Sequence, residues 1–120
     1  MFPQQREIRL PMYDGVQPLH AYVATATAAL RHEYGEEWLI SVAGEAARAL
    51  PDIAFALRAQ HRRVVSYVIT DGVLPPPGHE WPDAHVTYVL TQQTDELLAQ
   101  ATQARLRGFD VIDQTGAGSA

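Results

Sequence analysis

The chain contains no cysteine, which excludes disulfides, thiolate metal sites and thiol nucleophiles together. Lysine and asparagine are absent as well, so all nine fixed cations are arginines. That bias, with abundant alanine, reflects the codons of a GC-rich bacterial genome and carries no functional information. No apolar run approaches the roughly 20 residues that span a bilayer, and Met1-Phe2-Pro3-Gln4-Gln5-Arg6 lacks the basic-then-apolar order of a signal peptide. A cytoplasmic protein with no membrane partner is expected. Basic runs stop at Arg62-Arg63, and the formal charge is −5 with a pI near 5.4. Such a surface suits neither a phosphate backbone nor an anionic membrane, so nucleic acid is not an expected partner.

What the chain does have is core-forming material: 47% of its 120 residues are hydrophobic and 19% charged, enough for one domain. Arg6-Glu7-Ile8-Arg9-Leu10 alternates as an exposed strand does, ahead of Pro11 and the turn-like Asp14-Gly15. From Pro18 to Glu33, Leu19, Tyr22, Val23, Ala26 and Leu30 recur at helical spacing, with Gly35 just beyond. Trp38-Leu39-Ile40-Ser41-Val42 is a near-continuous apolar run, the pattern of a strand covered on both faces of a parallel sheet. The helix after it carries Ala46, Ala49, Leu50, Ile53, Ala54 and Leu57 inward, with Pro51 expected to bend it. Val64 to Thr70 and Val86 to Leu90 are further strands, and the Pro75-Pro76-Pro77-Gly78 run makes Asp71 to Asp83 a loop between them. Thr94 to Leu106 is a helix with acids at its start and Arg105 and Arg107 at its end, followed by a strand at Phe109-Asp110-Val111-Ile112.

This alternation predicts an α/β fold: a small, mainly parallel sheet flanked by helices on its faces. Residues 1–14 form an N-terminal arm or edge strand, 15–113 the α/β domain and 114–120 a flexible tail. In such sheets ligands bind outside the carboxyl ends of the strands, here Val42 to Ala47, Thr70 to Asp83, Thr91 to Asp95 and the tail after Ile112.

Trp38 to Pro51 resembles the strand, sharp turn and helix around the nucleophile of α/β-hydrolases, with Gly44 where the serine would stand. Val68-Ile69-Thr70-Asp71-Gly72-Val73-Leu74-Pro75 is similar to that family's strand ending in Asp with Leu-Pro after it. Trp81-Pro82-Asp83-Ala84-His85-Val86-Thr87-Tyr88-Val89-Leu90 resembles its next strand, and the helix before Arg107-Gly108-Phe109-Asp110-Val111 also fits. The similarity runs from about Gly15 to Gly116 and implies the C-terminal half of that fold.

The resemblance also shows what is lost. Such a hydrolase needs a serine oxygen, an imidazole to take its proton, a carboxylate to orient the imidazole, and oxyanion donors. Gly44 has no side chain, and Ala117 follows Gly116 where the histidine belongs. Asp71 or Asp95 fits the carboxylate position, but with no base to orient. The truncation also leaves the Trp38 to Val42 strand without its usual neighbour. Either the Gln5 to Leu10 segment or the same strand of a second subunit is expected to cover it, so a homo-oligomer through an exposed sheet edge is expected.

The remaining candidates each have two readings. Glu45 is a solvated acid favoured by the helix dipole, or a catalytic or ligand-binding group beside Gly44. Asp71 is a turn former ahead of Gly72 or a site residue. His79-Glu80-Trp81 is a surface loop pinned by its tryptophan, or a lid carrying an acid/base pair. No histidines fall at ligand spacing, so no metal and no cofactor are expected. Arg62-Arg63 reads as a solvated pair ending a helix. Glu45, Asp71 and His79 are the catalytic candidates, and Gly44, Glu45, Asp71 and Trp81 the ligand-binding ones. The leading expectation is a pseudo-hydrolase that binds a small molecule or a larger enzyme partner without covalent chemistry. The alternative is a repurposed acid/base enzyme, an isomerase, cyclase or dehydratase of small-molecule metabolism.

Overall fold

The computed structural model describes residues 6–35, 37–78 and 81–115. Within them the chain forms β1 (Arg6–Arg9), α1 (Leu19–Leu30), β2 (Glu37–Ala43), a 3-10 segment (Gly44–Ala49) and α2 (Leu50–Ala59). Then come β3 (Arg63–Thr70), β4 (His85–Leu90), α3 (Asp95–Leu106) and β5 (Asp110–Asp113). Each begins where its chemistry allows. Thr94 caps α3 by accepting from the Leu97 N–H at 3.2 Å, with Asp95 and Glu96 in the first turn and Arg105 in the last. Pro51 does not bend a helix. The stretch before it is wound as 3-10, and Pro51 falls in the first turn of α2, where its missing N–H has no intrahelical role.

The five strands are all parallel and stand in chain order, β1-β2-β3-β4-β5. Two rows of paired residues, Ile8–Ile40–Tyr67–Val86 and Val42–Ile69–Tyr88–Val111, form the sheet side of the core. Tyr22, Ala26 and Leu30 of α1, Ile53 and Leu57 of α2, and Ala101 and Ala104 of α3 join the same cluster.

The alternate rows face away from every helix. Glu7–Leu39–Ser66–His85, Arg9–Ser41–Val68–Thr87–Asp110 and Ala43–Thr70–Val89–Ile112 are all exposed or half-buried. The apolar run of β2 therefore does not mark a strand covered on both faces, as its sequence pattern suggested. A right-handed crossover that always moves one strand in the same direction returns on the same side of the sheet. With five strands in chain order, α1, α2 and α3 all lie on one face, and among the described residues no layer covers the other.

The neighbour that β2 lacks in the resemblance is supplied within the chain. Arg6–Arg9 pairs with Trp38–Ser41, and Leu10 N–H continues the ladder to Ser41 O at 2.9 Å. Arg6 anchors this strand through an ion pair with Glu33 at 2.5 Å and a hydrogen bond to Tyr34 O at 2.9 Å. The sheet edges are thus β1 and β5, each four residues long and charged, a form that resists edge pairing.

The β3–β4 crossover contains no helix, and buried phenols hold it instead. Tyr88 OH donates to Gly72 O at 2.7 Å, Tyr67 OH donates to Asp83 Oδ1 at 2.6 Å, and Arg58 holds Asp83 Oδ2 at 2.9 Å. From α3 the Gln100 side chain accepts from Leu74 N–H at 2.9 Å, and Arg107 at the end of that helix donates to Pro75 O at 2.7 Å. Trp81 fills the gap between Tyr67 and Phe109, edge-on to both rings. At the start of the crossover Gly72 is pressed against the 3-10 segment. A Cβ there would collide with Ile69 Cγ2 and lie 3.0 Å from Ala47 Cβ.

Two outcomes follow for stability. Gly72→Ala should cost about 2 kcal/mol or more in urea unfolding, because both neighbours are core atoms with no room to move. Burial pushes the phenols of Tyr22 and Tyr88 from 10 up to about 12. Folding favours the neutral phenol, so this stability is complete below pH 10 and is lost as pH rises towards 12. Melting temperatures measured across that window should fall while phenolate absorbance rises cooperatively with unfolding.

Candidate functional site

The carboxyl ends of the strands gather several of the residues singled out in the sequence, but not as a catalytic group. Gly44 follows β2 with φ of +62°, the left-handed conformation that glycine adopts without cost, and it opens the 3-10 segment. Glu45, next to it, pairs with Arg48 at 3.2 Å, each side chain about half exposed. Its carboxylate is solvated and occupied by a neighbour one turn on.

Asp71 follows β3 with φ of +47°, one of two non-glycine residues in the left-handed region among the described residues; the other, His61, follows α2. Its N–H donates to Val89 O at 2.9 Å, and its Oδ1 accepts from Thr91 N–H at 2.7 Å. Its Oδ2 accepts from the Thr91 hydroxyl. Asp71 therefore acts as a turn former that clamps the end of β3 to the end of β4, with both oxygens in use. Its carboxylate is held towards β4, while Glu45 faces solvent beside Arg48.

Trp81 lies elsewhere. It precedes β4, at the amino end of that strand, and is buried in the core of the crossover. The structure does not bring it to Gly44, Glu45 and Asp71. His79 and Glu80, and Gly116 with Ala117, lie outside the described residues. Among the described residues no group of three histidine, aspartate or glutamate side chains is placed to hold a metal ion. None of their helices is long and apolar enough to cross a membrane. Arg62 departs from the solvated pair expected of Arg62-Arg63. Its guanidinium donates to Glu33 O at 2.6 Å and Gly35 O at 2.7 Å and lies over the Trp38 ring, while Arg63 stays exposed.

Arg9, Pro11 and Met12, which sequence reasoning passed over as site candidates, join Ser41, Ala43 and Thr70 in the more open part of this end of the sheet. A cleft of about 330 Å³ is bounded by Pro11 and Met12 after β1 and by Arg9, Ser41, Ala43 and Thr70 on the uncovered face. Ser41 and Thr70 bring hydroxyls to it, but no histidine or carboxylate lines it, so neither oxygen has a base to activate it. From the cleft the uncovered rows continue across the sheet, two of them to β5 and one to His85 of β4, whose Nε2 donates to Asp110 Oδ2 of β5 at 2.7 Å. The rows mix β-branched, small and hydroxyl side chains with charge at both margins. The signal that finds them is strand register, which brings residues from five separate segments into line.

No family model, no curated protein and no solved structure matches this chain.

The two carboxylates should separate cleanly under mutation. Glu45→Gln removes only an exposed pair and should change unfolding free energy by less than about 0.5 kcal/mol. Asp71→Ala removes two acceptors and leaves a residue disfavoured at positive φ, so a loss of about 1–3 kcal/mol is expected by chemical denaturation.

Proposed function

We propose that this chain is a non-hydrolytic binding module whose working surface is the helix-free face of its sheet, and that the occupant is the sheet face of a protein partner. One observation carries this reading: among the described residues, no layer covers any of the alternate rows of an all-parallel sheet. Parallel sheets are almost always covered on both faces, because crossovers place helices on each. A single-layered one that presents Leu39, Val68, Val89 and Ile112 between hydroxyl and small side chains invites a second layer. A five-stranded face of this kind suits another sheet at the roughly 10 Å spacing of sandwich packing.

The absence of activated groups supports the non-hydrolytic half. Gly44 offers no nucleophile, Glu45 is paired in solvent, and Asp71 has both oxygens engaged. This reading carries forward the α/β-hydrolase-like expectation raised by the residues around Gly44, as a scaffold without its chemistry. Among the described residues, no pair of carboxylates converges in support of the acid/base alternative.

Because the chain has no cysteine, a single introduced thiol reports on each face. Inside the cells that make the protein, Val68→Cys should react with a permeant maleimide at least about tenfold more slowly than Phe55→Cys, which sits exposed on α2. Equal rates would mean that nothing covers the sheet, and the reading would fall. Purified protein should hydrolyse simple esters at the buffer rate; turnover that Ser41→Ala or Glu45→Gln abolishes would overturn the non-hydrolytic assignment.

A further inference from the structure

We infer that the layer covering the helix-free face is a second copy of this chain, related by a two-fold axis running along β3. This rests on the reading of that face as the binding surface and names its occupant. Such an axis keeps each row at its own level and reverses strand order, so β1 lies over the partner's β5 and β2 over the partner's β4. The row Arg9–Ser41–Val68–Thr87–Asp110 spans all five strands. Its two ends carry opposite charges, and its middle residue is Val68.

Rotation about β3 therefore sets Arg9 over the partner's Asp110, twice per dimer, and Val68 against the partner's Val68. Arg9 is exposed, and no ion pair or hydrogen bond engages its side chain among the described residues. Asp110 shares its carboxylate with His85 only. The other in-plane two-fold, across the strands, would keep β1 over β1 and β5 over β5. Arginine would then lie near arginine and aspartate near aspartate, so charge selects the axis along the strands.

Shape points the same way. Ile112, at the β5 end of the row Ala43–Thr70–Val89–Ile112, is 47% exposed. At the β1 end of that level lies the 330 Å³ cleft walled by Pro11, Met12 and Ala43. The rotation that pairs Arg9 with the partner's Asp110 also carries the partner's Ile112 over this cleft. One face thus holds both a hollow and a side chain to fill it, the self-complementarity that an isologous interface requires.

The area sets the size class of the pair. Five strands at about 4.8 Å spacing and rows covering about 20 Å give a face near 500 Å². Two such faces bury about 1,000 Å², the lower bound for a specific interface and the size of reversible, transient pairs.

Light scattering with the full chain at about 100 µM should give twice the 13.2 kDa of one chain, falling towards 13.2 kDa on dilution below about 1 µM. Val68→Arg, which sets two arginines together on the axis, should leave a monomer with an unchanged circular dichroism spectrum. Arg9→Asp and Asp110→Arg should each weaken the dimer about tenfold, and the two together should restore it to within about threefold of wild type. A wild-type monomer at about 100 µM, a dimer indifferent to Val68→Arg, or a double reversal no better than either single one overturns the self-pairing. If the purified chain is monomeric while Val68→Cys stays protected in cells, only the second copy is wrong and a different protein covers the face. If that thiol is unprotected too, both inferences fail.

Discussion

The handedness of the β-to-β crossover governs this molecule. Five strands in strict chain order allow each right-handed connection only one side of the sheet, so α1, α2, the β3–β4 loop and α3 share a single core. Larger α/β proteins cover the second face by reversing strand order partway. This chain never reverses, so one face carries the whole hydrophobic core and the other carries none of it. The half-buried rows, the open cleft and the two inferences about what covers them all follow from that asymmetry.

A second consequence concerns the crossover that has no helix. Between Thr70 and His85 the chain must descend from the carboxyl end of β3 to the amino end of β4 through a proline-rich segment that cannot make its own ladder. The backbone groups are satisfied from outside by Tyr88, Gln100 and Arg107, and the far end is held by the Tyr67–Asp83–Arg58 contacts. Burial first, and then the Asp83 carboxylate, push the Tyr67 phenol far above its ordinary value, so it serves as a neutral donor. Residues that resemble site chemistry in the sequence, Asp71 and Trp81 among them, are occupied here in making a loop stand in for a helix.

The strand-end region was partly legible beforehand. Gly44 at the turn after β2 and Asp71 at the end of β3 lie where the alternating pattern placed them. Their states were not readable, because the engagement of Asp71 depends on Thr91, twenty residues away, and that of Tyr67 on Asp83 and Trp81. Arg9 was passed over, and its grouping with Ser41 and Thr70 missed, for the same reason. Each looks like an ordinary surface residue of its own strand, and only register sets them around one cleft.

The sequence by itself determined the elements and their class. Helical spacing in α1, the β-branched run of β3, the Thr94 cap of α3 and the prolines after Leu74 are local, and local sterics and hydrogen bonding suffice to set them. Strand order, and with it the choice of one covered face over two, was decided only in the tertiary structure. An apolar run such as Trp38 to Val42 has the same pattern whether one or two layers will bury it. What distinguishes them is the direction in which each crossover moves, and that is fixed by pairings between distant segments, such as Ile8 with Ile40, 32 residues apart, and Ile40 with Tyr67, 27 apart.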